Sequence, residues 1–431
     1  MTQIAHLVIR GARLICPVTK RDEIADVVVE RGVITRVGKG AGEAARGPED
    51  SRVVEASGKI LGPGFVDAHA HFREPGFESK EDIESGLRAA ARGGYVAVAA
   101  MPNTSPVNDT AAITKLMVER ARSVGGPKLL PIGAITKGQK GETLAEMTLM
   151  RDAGAVGFSD DGRCVVSSGL MRRAFEYAKT IDVPLIQHAE DHSLTVGAEM
   201  HEGAIATRLG LRGWPRVAED IIVARDLLLA SYTGGTYHLA HASTHGSVAL
   251  LREAKSRGLR VTAEVTPHHL LLTHEAVLSF NTLAKVNPPL REQEDVDALR
   301  AALADGTIDM IATDHAPHGA PEKSCTFTQA AFGIVGLESA FALIRRLEKE
   351  GVLTFMRIFE SLSTAPSKLL GVIPPALKEG ARANFALIDP ARVHRIERGA
   401  SKSVNTPFFG QEVEGRVEMT VADGAIVWEL T

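Results

Sequence analysis

From Gly58 to about residue 370 the chain repeats one unit, a short apolar run followed by a stretch whose apolar residues recur at helical spacing. Apolar runs fall at 65–71, 95–101, 128–135, 155–159, 184–188, 236–241, 260–265 and 308–313. Helical spacing follows in segments such as 80–92, 111–123, 170–179, 219–229, 247–257 and 294–303. Eight strand–helix units over about 300 residues predict an α/β TIM (β/α)8 barrel. A doubly wound open sheet is the competing architecture, and no G-x-G-x-x-G follows the first strand to support it. Outside the repeat the period changes to two. HLVIRGARLI and ADVVVERGVITRVG precede it, with Arg31-Gly32 as a turn; NFALID and GRVEMTVADGAIVW follow it, with Asp423-Gly424 as a hairpin turn. We therefore expect 1–58 and 371–431 to form one composite β-sandwich into which a barrel spanning 59–370 is inserted.

Polar residues gather where the predicted strands end, and in a TIM barrel those ends meet on one face. The first strand closes in PGFVDAHAHFREP, where His69 and His71, two apart, share a face with Asp67. The fourth ends in GFSDDG with Asp160 and Asp161, the fifth in QHAED with His188 and the sixth in HLAHAS with His241. The eighth ends in IATDHAPH, with Asp314, His315 and His318. Four histidines and two aspartates make a ligand set for two zinc ions sharing a bridging carboxylate. The pattern does not separate Asp160 from Asp161. His192, His238, His245 and His274 fall in helices, strand interiors or loops, where hydrogen-bonded structural roles are the default. His268 and His269 follow the seventh strand and stay outside the shell, because six donors suffice.

Composition narrows the partner. A formal charge of −4 and scattered basic residues argue against a nucleic-acid groove, so a small molecule is expected. Cys16, Cys164 and Cys325 lie far apart without C-x-x-C spacing, which predicts free thiols in a reducing compartment. No basic leader or run of about 20 apolar residues is present, and a cytoplasmic, non-membrane protein is expected.

The motifs DAHAHFREPG, AAMPNTSP, GFSDDG, QHAED, HASTHGSV, TPHHL, KVNPPLR and ATDHAPH, with VNTPFFG at 404–410, resemble those of the type I dihydroorotases. These are cyclic amidohydrolases of the metal-dependent amidohydrolase superfamily. The resemblance covers nearly the whole chain and implies a TIM barrel flanked by a composite β-sandwich. It also implies zinc-dependent, reversible cyclisation of N-carbamoyl-L-aspartate to (S)-dihydroorotate in pyrimidine biosynthesis. By the same resemblance His69, His71 and Asp314 hold one zinc, His188 and His241 hold a second, and Asp161 rather than Asp160 bridges them. Hydantoinases bridge with a carboxylated lysine on the fourth strand, and GAVGFSDDG contains none. Substrate contacts are implied for His71, Arg73, Asn103, Asn287, His318 and the Phe332-Gly333 backbone. The guanidinium of Arg73 suits bidentate binding of a substrate carboxylate. A metal-bound hydroxide would be the nucleophile and Asp314 the general acid–base. The glycine-bounded segment 319–336 reads as a lid, with Ala331 where many relatives carry proline. A homodimer is expected, and docking on aspartate transcarbamoylase is compatible with the sequence. Two other readings compete: a cyclic amidohydrolase for a hydantoin or allantoin ring, and a non-catalytic scaffold subunit, which would have lost metal ligands.

Overall fold

Eight strands, Phe65–Ala70, Tyr95–Ala100, Lys128–Gly133, Gly157–Phe158, Leu185–Gln187, Tyr237–Leu239, Val261–Val265 and Met310–Ile311, pair parallel in chain order. They form the predicted barrel in a computed structural model that describes residues 2–43 and 51–430; the stretch 44–50 of the expected N-terminal β region lies outside the described residues. Helices Ile83–Arg92, Ala111–Val124, Met147–Asp152, Ser168–Thr180, Val217–Thr233, His245–Ser256, Gln293–Asp305 and Ala340–Lys349 surround it. Their entry points are chemically set. Asp82 accepts from the Ser85 amide while the Ser85 hydroxyl accepts from the Asp82 amide, a reciprocal cap that starts the first helix.

The fourth and eighth strands are shorter than their apolar runs predict, and side chains add bonds to the backbone at their ends. Asp160 accepts from the amides of Ile135 (2.8 Å) and Thr136 (3.0 Å). The first and eighth strands share no continuous ladder. Their seam is closed by the Ala70–His315 bridge, by the His71 amide donating to the His315 carbonyl (2.8 Å), and by Asp67, which accepts from the amide and hydroxyl of Thr313. Asp67 thus belongs to the seam and not to the histidine cluster. Burial pushes its carboxyl up to about 6, against the pull of the Thr313 and His69 donors.

Both chain ends contribute to a second sheet of nine strands among the described residues. Ile60–Pro63 lies parallel to His6–Cys16 and antiparallel to Phe385–Arg395, and so joins the two ends. Its period-two pattern divides alternate side chains between two cores. Leu14, Leu61, Phe385, Leu387 and Met419 pack within the sheet's own core, which both halves share as in a sandwich. Ile15, Ile60, Ala386, Ile388 and Val417 join the barrel's. Both predicted turns form, with positive φ at Arg31 and Gly32 (50° and 75°) and at Asp423 and Gly424 (45° and 72°), as type I′ hairpins require. The excursion at 189–218, with short strands Met200–His201 and Gly213–Trp214 and helix Ala204–Leu209, has no counterpart in the predicted elements.

Asp67→Ala would leave the Thr313 donors buried without an acceptor, which costs about 2–4 kcal/mol. Asp67→Asn keeps an acceptor there and should lose much less. Denaturant unfolding of the two variants checks the order, and equal losses would remove Asp67 from barrel closure.

Candidate active site

Three strand ends deliver four imidazoles to one buried carboxylate at the end of a fourth. Asp161, 4% exposed, has Oδ1 3.3 Å from His69 Nε2, 3.5 Å from His241 Nε2 and 3.8 Å from His188 Nδ1, with Oδ2 3.5 Å from His71 Nε2. Asp314 Oδ1 lies 3.0 Å from His71 Nε2 and 3.6 Å from His69 Nε2. All six predicted donors are therefore in one place, in the overlapping groups His69–His71–Asp314 and His69–Asp161–His241, with His188 against His241 (2.9 Å). The neighbouring Asp160 turns away to the 135–136 backbone and reaches a carboxyl pKa of about 6 through burial, so the choice between adjacent aspartates follows from where each side chain points.

The second nitrogen of three rings fixes which lone pair faces the cluster. His69 Nδ1 donates to Glu264 Oε1 (2.7 Å), His71 Nδ1 to Asn103 Oδ1 (2.8 Å) and His188 Nε2 to Glu190 Oε2 (2.9 Å). Each ring thus turns its other nitrogen inward, the arrangement found behind metal-ligating histidines. His69 Nε2 and Asp161 Oδ1 have no hydrogen-bond partner although both are buried. Orphaned donors of this kind fit a metal cation, and the surroundings favour positive charge. Burial alone would raise Asp161 and Asp314, yet the histidines around them hold both carboxyls well below the usual range.

Glu264 is the functional candidate that sequence reasoning missed. It sits in the apolar strand VTAEV, fully buried, and also accepts from His238 Nε2 (3.1 Å) and the His241 amide (3.3 Å). Burial pushes its carboxyl up, but His69 and His238 outweigh this and bring it to about 2. A lone acid inside an apolar strand was the available signal, since a buried charge needs partners. His238 holds the structural role expected of it.

The predicted substrate residues line up beside the cluster. Arg73 donates through Nε to the Pro317 carbonyl (3.2 Å), and its Nη2 lies 3.4 Å from His318 Nε2. That His318 nitrogen donates to the Phe332 carbonyl (2.8 Å), so two donors face one another. Of the pair, the Arg73 guanidinium is the one with N–H groups left for an incoming anion. Burial and Arg73 lower His318 to about 3, which keeps it neutral. Asn287 donates to Glu190 (3.2 Å) while its Oδ1 is buried and unpartnered. Asn103 spends its amide on His71 and on Asp161 (3.3 Å), next to the cluster. The Gly333 amide donates to the Lys285 carbonyl (3.0 Å).

The 319–336 loop is clasped by two lysines that sequence reasoning passed over. Lys323 Nζ donates to the carbonyls of Thr282, Lys285 and Ala331, and Lys285 Nζ to those of Phe327 and Thr328 while lying 4.6 Å over the Phe332 ring. The Ala331 amide donates to the Glu322 carbonyl (3.0 Å), a bond proline could not make. Two other donor clusters, His201–His274–Glu292 and His245–Glu294–Asp295, already hold a cation, because Arg216 bonds Glu292, Glu294 and Asp295. Arg291 also donates to His201 Nδ1 (3.3 Å), which leaves the proton on Nε2.

Three comparisons bear on this geometry. A family profile described as dihydro-orotase-like matches residues 58–247. Over 425 residues the chain is 49% identical to a dihydroorotase of Pelobacter propionicus, covering 98% of this chain and 99% of that one. It is 49% identical over 426 residues to a dihydroorotase of Pelotomaculum thermopropionicum, covering 98% of each. The solved L-hydantoinase (dihydropyrimidinase) of Arthrobacter aurescens superposes with a TM-score of 0.87 at 24% identity, over 100% of this chain and 96% of that one, and shares the fold. Full-length similarity at this level, on a barrel whose strand ends carry a cluster suited to metal, establishes that the chain belongs to the dihydroorotase family of metal-dependent cyclic amidohydrolases.

Proposed function

We propose that this chain catalyses the reversible closure of N-carbamoyl-L-aspartate to (S)-dihydroorotate and water, a step of pyrimidine synthesis. Two zinc ions would be held, one by His69, His71 and Asp314, the other by His188 and His241, with Asp161 available to both. The observation that carries it is the set of three imidazoles locked by Glu264, Asn103 and Glu190 with their other nitrogens turned into the cluster around Asp161 and Asp314. Bound there, zinc would polarise the amide carbonyl and lower the pKa of water to about 7.

The protein's own groups supply the rest. Arg73 receives the carboxylate that both substrate forms carry away from the reacting amide, and His318 lines the same end of the pocket. The free Asn287 Oδ1 can accept from a ring N–H. Asp314 is buried beside His71 and held ionised, which leaves it in the unprotonated form from which proton transfer starts. In ring opening the water oxygen bonds to the carbonyl carbon, Asp314 takes its proton, and the same proton goes to the departing ring nitrogen as the C–N bond breaks. Ring closure reverses each step and consumes one proton, so acid favours the ring. A hydantoin or allantoin carries no such carboxylate and gives Arg73 nothing to hold, and Asp161 stands where hydantoinases place a modified lysine. The scaffold reading requires lost ligands, whereas all six donors are present.

Elemental analysis on the sample assayed for dihydroorotate hydrolysis should find two zinc ions per chain and no comparable turnover of hydantoin. In Asp314→Asn, turnover should fall about 10²-fold or more with metal content largely kept; near-normal activity would remove Asp314 from proton transfer. Arg73→Met should raise KM for dihydroorotate by about 10–100-fold, the worth of a charge-assisted pair, without changing zinc content. Glu264→Gln removes the acceptor that orients His69, and zinc titration should show affinity weakened about 10–100-fold. Unchanged affinity would leave Glu264 a structural acid.

A further inference from the structure

We propose that Asn405, carried to the site by the segment that follows the barrel, is a positioning residue that sets the spacing between His318 and the Phe332-Gly333 turn. It thereby shapes the carboxylate-binding end of the pocket, and it rests on the assignment of His318 to that end.

Asn405 is 3% exposed and its amide is fully used. Oδ1 accepts from the His318 backbone amide (3.0 Å), and Nδ2 donates to the carbonyls of Ala316 (2.9 Å) and Gly333 (3.1 Å). The partners determine the amide's orientation, since two carbonyls need a donor and one N–H needs an acceptor. One side chain thus ties the backbone on both sides of Pro317, where the chain enters His318, to the turn whose Phe332 carbonyl holds the His318 ring. The spacing has no slack. At Gly333 (φ +145°) a Cβ would come within 2.8 Å of Ala316 Cβ and 2.9 Å of His318 Cδ2.

The carrier segment is itself anchored, which makes it a reference point. Ser401 and the Lys402 amide bond buried Glu81, Glu338 Oε1 accepts from the amides of Ala400 (2.9 Å) and Ser401 (3.1 Å), and the Ser403 hydroxyl donates to the Lys80 carbonyl (2.8 Å). The Asn405 carbonyl accepts in turn from the Val335 amide (3.0 Å), on the far side of the turn. Asn405 lies in the VNTPFFG stretch, to which the reaction chemistry assigns no task.

The substitution that separates positioning from mere filling is Asn405→Asp. It keeps the shape and the acceptor for His318 but sets a carboxylate oxygen against two carbonyls. Asn405→Ser leaves room for a water and serves if the aspartate variant does not accumulate as folded protein. On the full-length zinc-loaded enzyme, KM for dihydroorotate should rise about tenfold or more, equal to about 1.4 kcal/mol. The kcat should stay within about threefold, zinc per chain should be unchanged, and amide exchange at Val335 should accelerate. A folded variant with unaltered KM and unaltered exchange overturns the proposal. His318→Ala, measured alongside, separates the two levels. If it raises KM while the Asn405 variants do not, the positioning role alone falls; if it leaves KM unchanged, the assignment of His318 falls and this inference with it.

Discussion

Everything at the open end of this barrel depends on keeping a carboxylate charged at the point where four imidazoles converge. An ionised carboxylate removed from water costs several kcal/mol unless opposite charge stands beside it. Asp161 is not alone in this position, since Asp314, Glu264 and Glu190 are also buried within two layers of the same histidines. Ionised, those four acids bring a formal charge of −4, which calls for positive charge at the site. The outer acids also do geometric work. By accepting the proton on the far side of His69 and His188, they decide which nitrogen is left to ligate. The same arrangement that makes the site costly without a cation makes it selective for one.

The backbone at the site carries its own cost. Arg73, His241 and Asp314 all have positive φ, at 61°, 32° and 44°. Non-glycine residues hold such conformations at about 1–3 kcal/mol each and keep them only where the surroundings over-determine them. Here the surroundings are an apolar barrel interior of Val66, Ala68, Ala99, Leu130, Ile132, Ile186, Ala240, Met310 and Ala312 beneath the site, with a larger layer of helix-facing residues outside. Strand, seam and strained turn form one chain of cause. Asp67 and the Ala70–His315 bridge close the first strand on the eighth, and that closure brings Asp314 to within 3.0 Å of His71.

Much of this was legible in the sequence because it rests on period and on position along strands. A run of apolar residues ending in H-x-H or D-D states both its secondary structure and its end of the barrel, and the two β-hairpin turns state their positive φ through Arg-Gly and Asp-Gly. Choosing Asp161 over Asp160 needed family likeness, since neighbours on a strand end differ only in where they point. What stayed hidden was recognisable only as a pairing. Glu264 is one letter in an apolar strand until His69 lies against it, and Lys285 and Lys323 are ordinary surface letters until their ammonium groups meet loop carbonyls.

The terminal sheet is more than an appendage to the catalytic barrel, and the reason is again the period of two. Because alternate residues of Ile60–Pro63 and Phe385–Arg395 enter the barrel's apolar layer, the sheet cannot shift without opening that layer. Gly62 illustrates how close the approach is, since a Cβ there would overlap the Phe359 ring. Thr420 adds a directional bond to the Ala91 carbonyl at the end of the first helix (2.7 Å). A rigidly docked sheet gives the returning chain a fixed origin. The segment between Phe385–Arg395 and Glu412–Ala422 can then deliver Asn405 to the barrel mouth with the accuracy that hydrogen bonds near 3 Å demand. Insertion of the barrel between two halves of one sheet is therefore a way of holding a loop at the active end from a second, independent frame.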